Sequence, residues 1–386
     1  MDGNYIGLIS GTSADSIDAV IVSITNQQLV LLESYSHVIP TTIQKKIWQT
    51  NISGNHELKT MLELDYQLGI LFAQAVEHLL KKASVSTQSI IAIGSHGQTL
   101  RHYPDTSFPS TLQIADANII VEKTNITTIC DFRRADIAAG GQGAPLVPAF
   151  HQFQFQHDDK NRVILNIGGI ANITYLPSDK SKPIQGFDTG PGNCVMDEWI
   201  QQHQNKAYDN AGAWAKSGII DTKLLNLLLE HHYFKEAGPK STGRDIFNLT
   251  WLNSVLNNYR ENNFISNEDV QMTLNAVTAQ SIVNDINSLK VVDEVFVCGG
   301  GVYNLTLMAL LKELLSKNNI KCDSVNSLGL NPDWVEACAF AWLAKQRIEN
   351  QAGNCPSVTG ASHPCILGAE YNPSNYSSTL ATVDNS

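Results

Sequence analysis

The feature that most limits what this chain can fold into is an order of segments that occurs twice. In the first half, LISGTSADSIDAVIVSI (residues 8–24) sets a Gly-Thr-Ser turn between two apolar runs, so a strand reaches Gly11 and returns as another strand. In the second half, RVILNIGGIANITYL (162–176) does the same around Gly168 and Gly169. A third extended stretch follows each hairpin, QLVLLESYSHVI at 28–39 and KPIQGFD at 182–188. Each half then carries a long helix whose apolar residues recur at i, i+4, i+7 and i+11. These are Leu64, Leu68, Leu71, Ala75 and Leu79, and later Met272, Ala276, Ala279, Val283 and Ile286. One more strand with a polar or glycine end closes each set, SIIAIGSHGQT at 89–99 and DEVFVCGGGVYN at 293–304. The offset of roughly 160 to 200 residues between the copies predicts a duplicated α/β domain.

Composition agrees with two domains. At 386 residues and 43% hydrophobic, the chain exceeds the size at which single cores stop growing. Its net charge of −11, with 26 scattered Lys and Arg, argues against a nucleic-acid partner, which needs clustered cations. The opening MDGNYIGLIS has no basic segment followed by a long apolar one, and no apolar run approaches the ~18 residues that span a bilayer. The expectation is a cytoplasmic protein without a membrane partner. Seven cysteines without a C-x-x-C pair read as reduced thiols rather than a disulfide frame or zinc site.

Two similar domains facing each other place their glycine turns on opposite walls of one cleft, where exposed backbone N–H groups can receive phosphate. The first turn stops at Gly11 so that backbone amides and the hydroxyls of Thr12 and Ser13 can approach a nucleotide, with Asp15 and Asp18 close behind. It is not a P-loop, because no Lys follows and the next segment is a strand. An ordinary hairpin, its Asp and Ser side chains satisfying turn backbone, is the competing reading. The Gly299-Gly300-Gly301 run before LTLMALLKELL suits close passage of the backbone over an adenine or ribose. A dinucleotide-binding Rossmann turn would need G-x-G-x-x-G, which that run lacks, and it stays a minor alternative.

GFDTGPGNCVMDEWI (186–200) holds the first candidate for chemistry. Asp188 ends an extended run before a Gly-Pro-Gly turn and a helix, which suits a general base but also suits plain turn chemistry. In NPDWVEACAFAWLA, Asp333 and Glu336 have the spacing of a capping box, so Glu336 reads first as a helix cap. His96 in GSHGQT and the pair Arg133 and Arg134 in DFRRADIAAGGQGAPLVP are ambiguous one by one. The GGQGAPLVP stretch looks like a hinge or a shaped substrate loop.

Together, GLISGTSADSIDAV, GSHGQTLRH, DFRRADIAAGGQGAPLVP, LNIGGIANIT, FDTGPGN and VFVCGGGVYN resemble the anhydro-N-acetylmuramic acid kinases, in matching order from about residue 5 to 370. These belong to the superfamily of sugar kinases, actin and heat-shock chaperone ATPases. The resemblance implies two actin-like (ribonuclease H-like) domains facing a cleft, residues 1–131 with 347–386 returning to them, and residues 132–346. It implies ATP and Mg²⁺ as cofactors, a small-molecule sugar as partner, and allows a homodimer. The family's nucleotide loop falls on Gly11, Thr12, Ser13, Ala14, Asp15, Ser16, Ile17 and Asp18, with further contacts from Asn166, Gly168, Gly169, Gly299, Gly300 and Gly301. Asp188 takes the catalytic position, Asp15 and Asp18 meet the metal, and Gln98, Glu336 and Arg133 or Arg134 meet the sugar.

One departure stands out. Ser16 occupies a position where the family has glycine, and it is strained by ~1 kcal/mol if that position needs φ > 0. The implied reaction phosphorylates 1,6-anhydro-N-acetylmuramic acid while water opens its anhydro ring, giving N-acetylmuramic acid 6-phosphate in cell-wall recycling. A kinase for a plain hexose or N-acetylhexosamine, and an actin- or chaperone-like ATPase without a sugar, remain the alternatives.

Overall fold

The computed structural model describes residues 1–11, 13–50 and 57–374, so Thr12 and the polar tail from 375 lie outside the described residues. Twelve strands are described: β1 (Gly3–Ser10), β2 (Ser16–Ile24), β3 (Leu29–Val38), β4 (Ile90–Tyr103), β5 (Ser110–Ile114), β6 (Thr128–Cys130), β7 (Arg162–Ile167), β8 (Ile170–Leu176), β9 (Gln185–Pro191), β10 (Glu294–Cys298), β11 (Lys321–Ser324) and β12 (Ala369–Tyr371). They form two sheets. The first runs β12-β6-β4-β1-β2-β3 with β5 on β4, and the second runs β11-β10-β7-β8-β9.

The two sheets share one plan. In each, an antiparallel meander (β1-β2-β3, β7-β8-β9) is continued on the far side of its first strand by two parallel strands (β4 and β6, β10 and β11). The duplicated α/β architecture expected from the repeat is therefore present. All seven cysteines are free thiols.

Alternation decides which side of the second sheet faces the first. Val163, Leu165, Ile167, Ala171, Ile173, Phe187, Val295 and Val297 pack under the helices of the second half. Ile164, Leu176, Phe296 and Cys298, of opposite parity on their strands, join a core shared with the first sheet. The long helix Asn267–Ser288 departs from the single buried face expected of it. It is buried almost all round, because Cys194–Gln204, Thr222–Leu229 and Leu305–Ser316 surround it.

The helix Val335–Ile348 lies directly on the first sheet, chiefly on β1 and β4. Gly7 and Gly94 are paired in register on those strands, and a Cβ on either would collide with the Ala337 or Phe340 carbonyl. Two small residues thus bring helix backbone onto sheet backbone. The chain is thus already seated on the first sheet from about residue 335. The hinge-like loop is tied down by Asp136, which accepts from the Gly143 N–H, the Asn354 amide and the Thr359 hydroxyl.

Candidate active site

The first glycine turn is closed by the Ala14 N–H donating to the Gly11 carbonyl at 3.1 Å. Ala14, at φ 51°, takes the left-handed conformation. Ser16 instead opens β2 opposite Val38, so the strain expected at Ser16 does not arise. Gly11, Ser13 and Asp15 are exposed, whereas Ala14 and Ile17 are fully buried, so those two can offer a nucleotide only backbone. Asp15 Oδ1 accepts from Ser13 Oγ at 2.6 Å and from the Ser16 N–H at 3.1 Å. Asp18 Oδ1 accepts from Ser36 Oγ at 3.0 Å and Ser16 Oγ at 3.3 Å. Among the described residues the second oxygen of each carboxylate has no donor. Burial raises the Asp18 pKa, the two serines oppose the rise, and Asp15 and Asp333 add to it.

Gln98 sits beneath this turn. Its side chain is buried, accepts from Ser10 Oγ at 2.7 Å and donates to the Gly11 carbonyl at 3.2 Å. It is a support of the loop, with its amide already engaged.

Arg133 and Arg134 part company. Arg134 is exposed and meets Asp131 at 3.4 Å, whereas Arg133 turns inward, its Nε and Nη2 at 3.1 and 2.9 Å from His96 Nε2 and its Nη1 at 2.7 Å from the Gly143 carbonyl. Since Nε2 of His96 accepts, the proton sits on Nδ1, 3.0 Å from the Gly97 carbonyl. Burial and the Arg133 charge hold the His96 pKa well below its ordinary value, so the imidazole is neutral. Burial lowers Arg133 to about 10, with Glu336 and Asp136 opposing.

Glu336 is not a capping-box partner. Trp334 holds the N-cap without a side-chain bond, and Asp333 Oδ2 instead accepts from Tyr303 Oη at 2.6 Å. Glu336 is exposed at the first turn of its helix. Desolvation raises its pKa, Arg133 opposes, and Asp18 adds to the rise. Glu336, Arg133 and Asp18 thus form one electrostatic cluster at the start of the helix.

The second sheet supplies the other wall. Cys298 pairs with Asn166, Asn166 with Asn172, and Asn172 with Asp188, a row across β10, β7, β8 and β9. Residues in register share a face, so this row lies on the side turned to the first half. Its Cys298 end is within electrostatic reach of Glu336. At the strand ends, the Gly168-Gly169 turn accepts from the N–H groups of Gly192, Asn193 and Cys194. Gly299, at φ 77°, passes so close to Asn166 that a side chain there would collide with it, while Gly300 faces open space.

Asp188 Oδ2 accepts from the Thr242 N–H at 3.0 Å and from Ser241 Oγ at 3.3 Å. The Asp188 N–H donates to the Lys240 carbonyl at 3.0 Å, and its carbonyl accepts from Tyr233 Oη at 2.7 Å. Burial raises the carboxyl pKa, opposed by those Thr242 and Ser241 bonds. A carboxylate held on one oxygen, made more basic by burial and set on the sheet face turned to the first half, can take a proton from water or a hydroxyl.

A family model described as anhydro-N-acetylmuramic acid kinase matches residues 3–373. The chain belongs to the anhydro-N-acetylmuramic acid kinase family. Curated relatives carrying that name come from Shewanella woodyi, 50% identical over 95% of this chain and 97% of the relative, and from Shewanella sediminis, 49% identical over 96% and 99%. Among solved structures, an activator of 2-hydroxyisocaproyl-CoA dehydratase from Clostridium difficile with bound ADPNP is 13% identical, covering 91% of this chain and 96% of that one, with a TM-score of 0.40. A ROK family glucokinase from Streptomyces griseus in complex with glucose and AMPPNP is 12% identical over 88% and 99%, with a TM-score of 0.38. Membership in an anhydro-N-acetylmuramic acid kinase family makes this chain a phosphotransferase that uses ATP on a small-molecule sugar.

Within that family frame, the sequence reading passed over Lys240-Ser241-Thr242-Gly243-Arg244. The only signal there was a cluster of turn residues after Gly238-Pro239. It also passed over Asp197, which burial pushes up to about 7 against the opposing charge of Arg244, helped by Asp209 and Glu198.

Proposed function

We propose that this chain phosphorylates O6 of 1,6-anhydro-N-acetylmuramic acid while water opens the anhydro ring, giving N-acetylmuramic acid 6-phosphate and ADP in cell-wall recycling. The observation that carries the reading is Asp188, singly held, on the sheet face turned to Glu336 and Arg133. In the anhydro sugar O6 is bonded to C1, so there is no 6-hydroxyl to deprotonate. Asp188 therefore takes a proton from water. The water oxygen bonds to C1, the C1–O6 bond breaks, and O6 bonds to the γ-phosphorus as the bridge to ADP breaks. Arg133, fixed by neutral His96, presents its guanidinium to the lactyl carboxylate, and Glu336 accepts from a sugar hydroxyl or orients the water. Gln98 acts through the loop it supports.

The open backbone at Gly11 and Gly300 fits a nucleotide on both walls. The free oxygens of Asp15 and Asp18 fit Mg²⁺, which accepts one or two carboxylates and completes its shell with water and phosphate. Bound there, Mg²⁺ supplies positive charge against the β- and γ-phosphates. All these groups come from one chain, so the reaction does not require the homodimer that the sequence allows. No helix among the described residues is long and apolar enough to cross a membrane. An ATP-consuming step belongs in the cytoplasm, where ATP is supplied.

ATP turnover measured with the anhydro sugar, with glucose or N-acetylglucosamine, and with no sugar tests the reading. Turnover with the anhydro sugar alone is expected. Equal turnover with a plain sugar, or without any, overturns it in favour of a hexose kinase or a partner-driven ATPase.

A further inference from the structure

The guanidinium of Arg244 lies on the second glycine turn. A Cβ built on Gly169 would stand 2.9 Å from Nη2 and 3.0 Å from Nε of Arg244. We propose that Arg244 is a catalytic residue that grips the phosphoryl group as it moves from ATP to O6. The proposal rests on the kinase reading above and adds a residue to it.

Three observations carry it. First, the base and the guanidinium share one strap. Thr242 is bound through its N–H to Asp188, and two residues of chain reach at most about 7 Å, so Arg244 is held near the base. Second, the floor under Arg244 is fixed, because the Gly168 and Gly169 carbonyls accept from Gly192, Asn193 and Cys194 at 2.8 to 3.1 Å. Third, the neighbouring cations are engaged. Lys240 is buried against Asp285 at 3.0 Å, and Arg133 is bound to His96 and Gly143. The Arg244 side chain is exposed and, although its charge acts on Asp197, has no hydrogen bond or ion pair among the described residues, so its five N–H donors are open.

Chemistry supplies the need. An ionised Asp188 must work beside the strongly anionic triphosphate, and the O6–phosphorus bond forms as the bridging bond to ADP breaks, spreading charge over the transferring oxygens. A planar fork laid between base and glycine turn offsets both effects at the moment of transfer.

The test uses the full chain with Arg244→Ala, Arg244→Lys and Gly169→Ala. The last keeps the charge but puts a methyl where the guanidinium lies. For Arg244→Ala, kcat is expected to fall about a hundredfold or more, the scale of a lost arginine at a phosphoryl centre. The KM for sugar and the affinity for ADP should stay within about threefold, and a non-hydrolysable ATP analogue should lose its advantage over ADP. Arg244→Lys should recover part of kcat, and Gly169→Ala should lower kcat while melting within a degree or so of wild type. A kcat near wild type in Arg244→Ala, or a loss confined to the KM for sugar, overturns the proposal, the latter assigning Arg244 to the lactyl carboxylate. A wild-type chain that makes no phosphorylated sugar overturns the kinase reading itself, and does so before any variant is made.

Discussion

The backbone N–H of Thr242 meets Asp188 Oδ2 at 3.0 Å, so main chain holds the candidate base by one oxygen and leaves the other for chemistry. Replacing Asp188 by Asn keeps volume and removes basicity. Turnover is expected to fall by roughly 10² to 10⁴, the range for a lost general base, with nucleotide affinity and melting temperature nearly unchanged. Steady-state kinetics beside a thermal melt check this, and a variant with half of normal activity would return Asp188 to turn chemistry.

Glu336 shares its surroundings with Arg133 and Asp18 and caps nothing. Glu336→Gln should therefore cost about tenfold or more in kcat/KM, the worth of a charge-assisted hydrogen bond. Because burial raises its pKa in the folded chain, the protonated carboxyl adds stability at low pH, and that stability is lost as pH rises through the folded value. The Gln variant should then melt no lower than wild type at pH 8. A variant with full activity would contradict the role given to Glu336.

How much of this was legible in the sequence follows from how local each signal is. The two hairpins were readable because a glycine turn between apolar runs is a local pattern, and β1, β2, β7 and β8 fall where it put them. The fate of Gln98 was not, since its bonds to Ser10 and Gly11 join residues far apart in the chain. Arg133 and Arg134 are adjacent and chemically identical, and only the position of His96 on β4 separates them. The seating of helix Val335–Ile348 on β1 and β4 was not legible either, because its partners, Gly7 and Gly94, lie hundreds of residues earlier.

That helix gives a stability test. Gly94→Ala puts a methyl against the Phe340 carbonyl, and overpacking of this kind costs about 1 to 3 kcal/mol. A lowered melting temperature is expected, together with reduced kcat/KM because Glu336 moves with the helix. An unchanged melt would mean the helix is not seated on β1 and β4.

Asp197 gives a pH test. Its folded value of about 7 lies above the ordinary 3.8, so the folded state holds the proton more tightly and stability falls as pH rises through that window. Asp197→Asn should raise the melting temperature at pH 8 and leave it unchanged at pH 4, as read by calorimetry. A larger gain at pH 4 than at pH 8 would reverse the assignment.

The central claim, that water attacks the sugar while Asp188 takes its proton, is tested most directly by mass spectrometry of the products formed in H₂¹⁸O. One ¹⁸O on C1 of a ring-opened sugar 6-phosphate, with unlabelled phosphate oxygens, is the expected result. A phosphorylated sugar that keeps its anhydro ring and carries no label, or label appearing in inorganic phosphate, would contradict it.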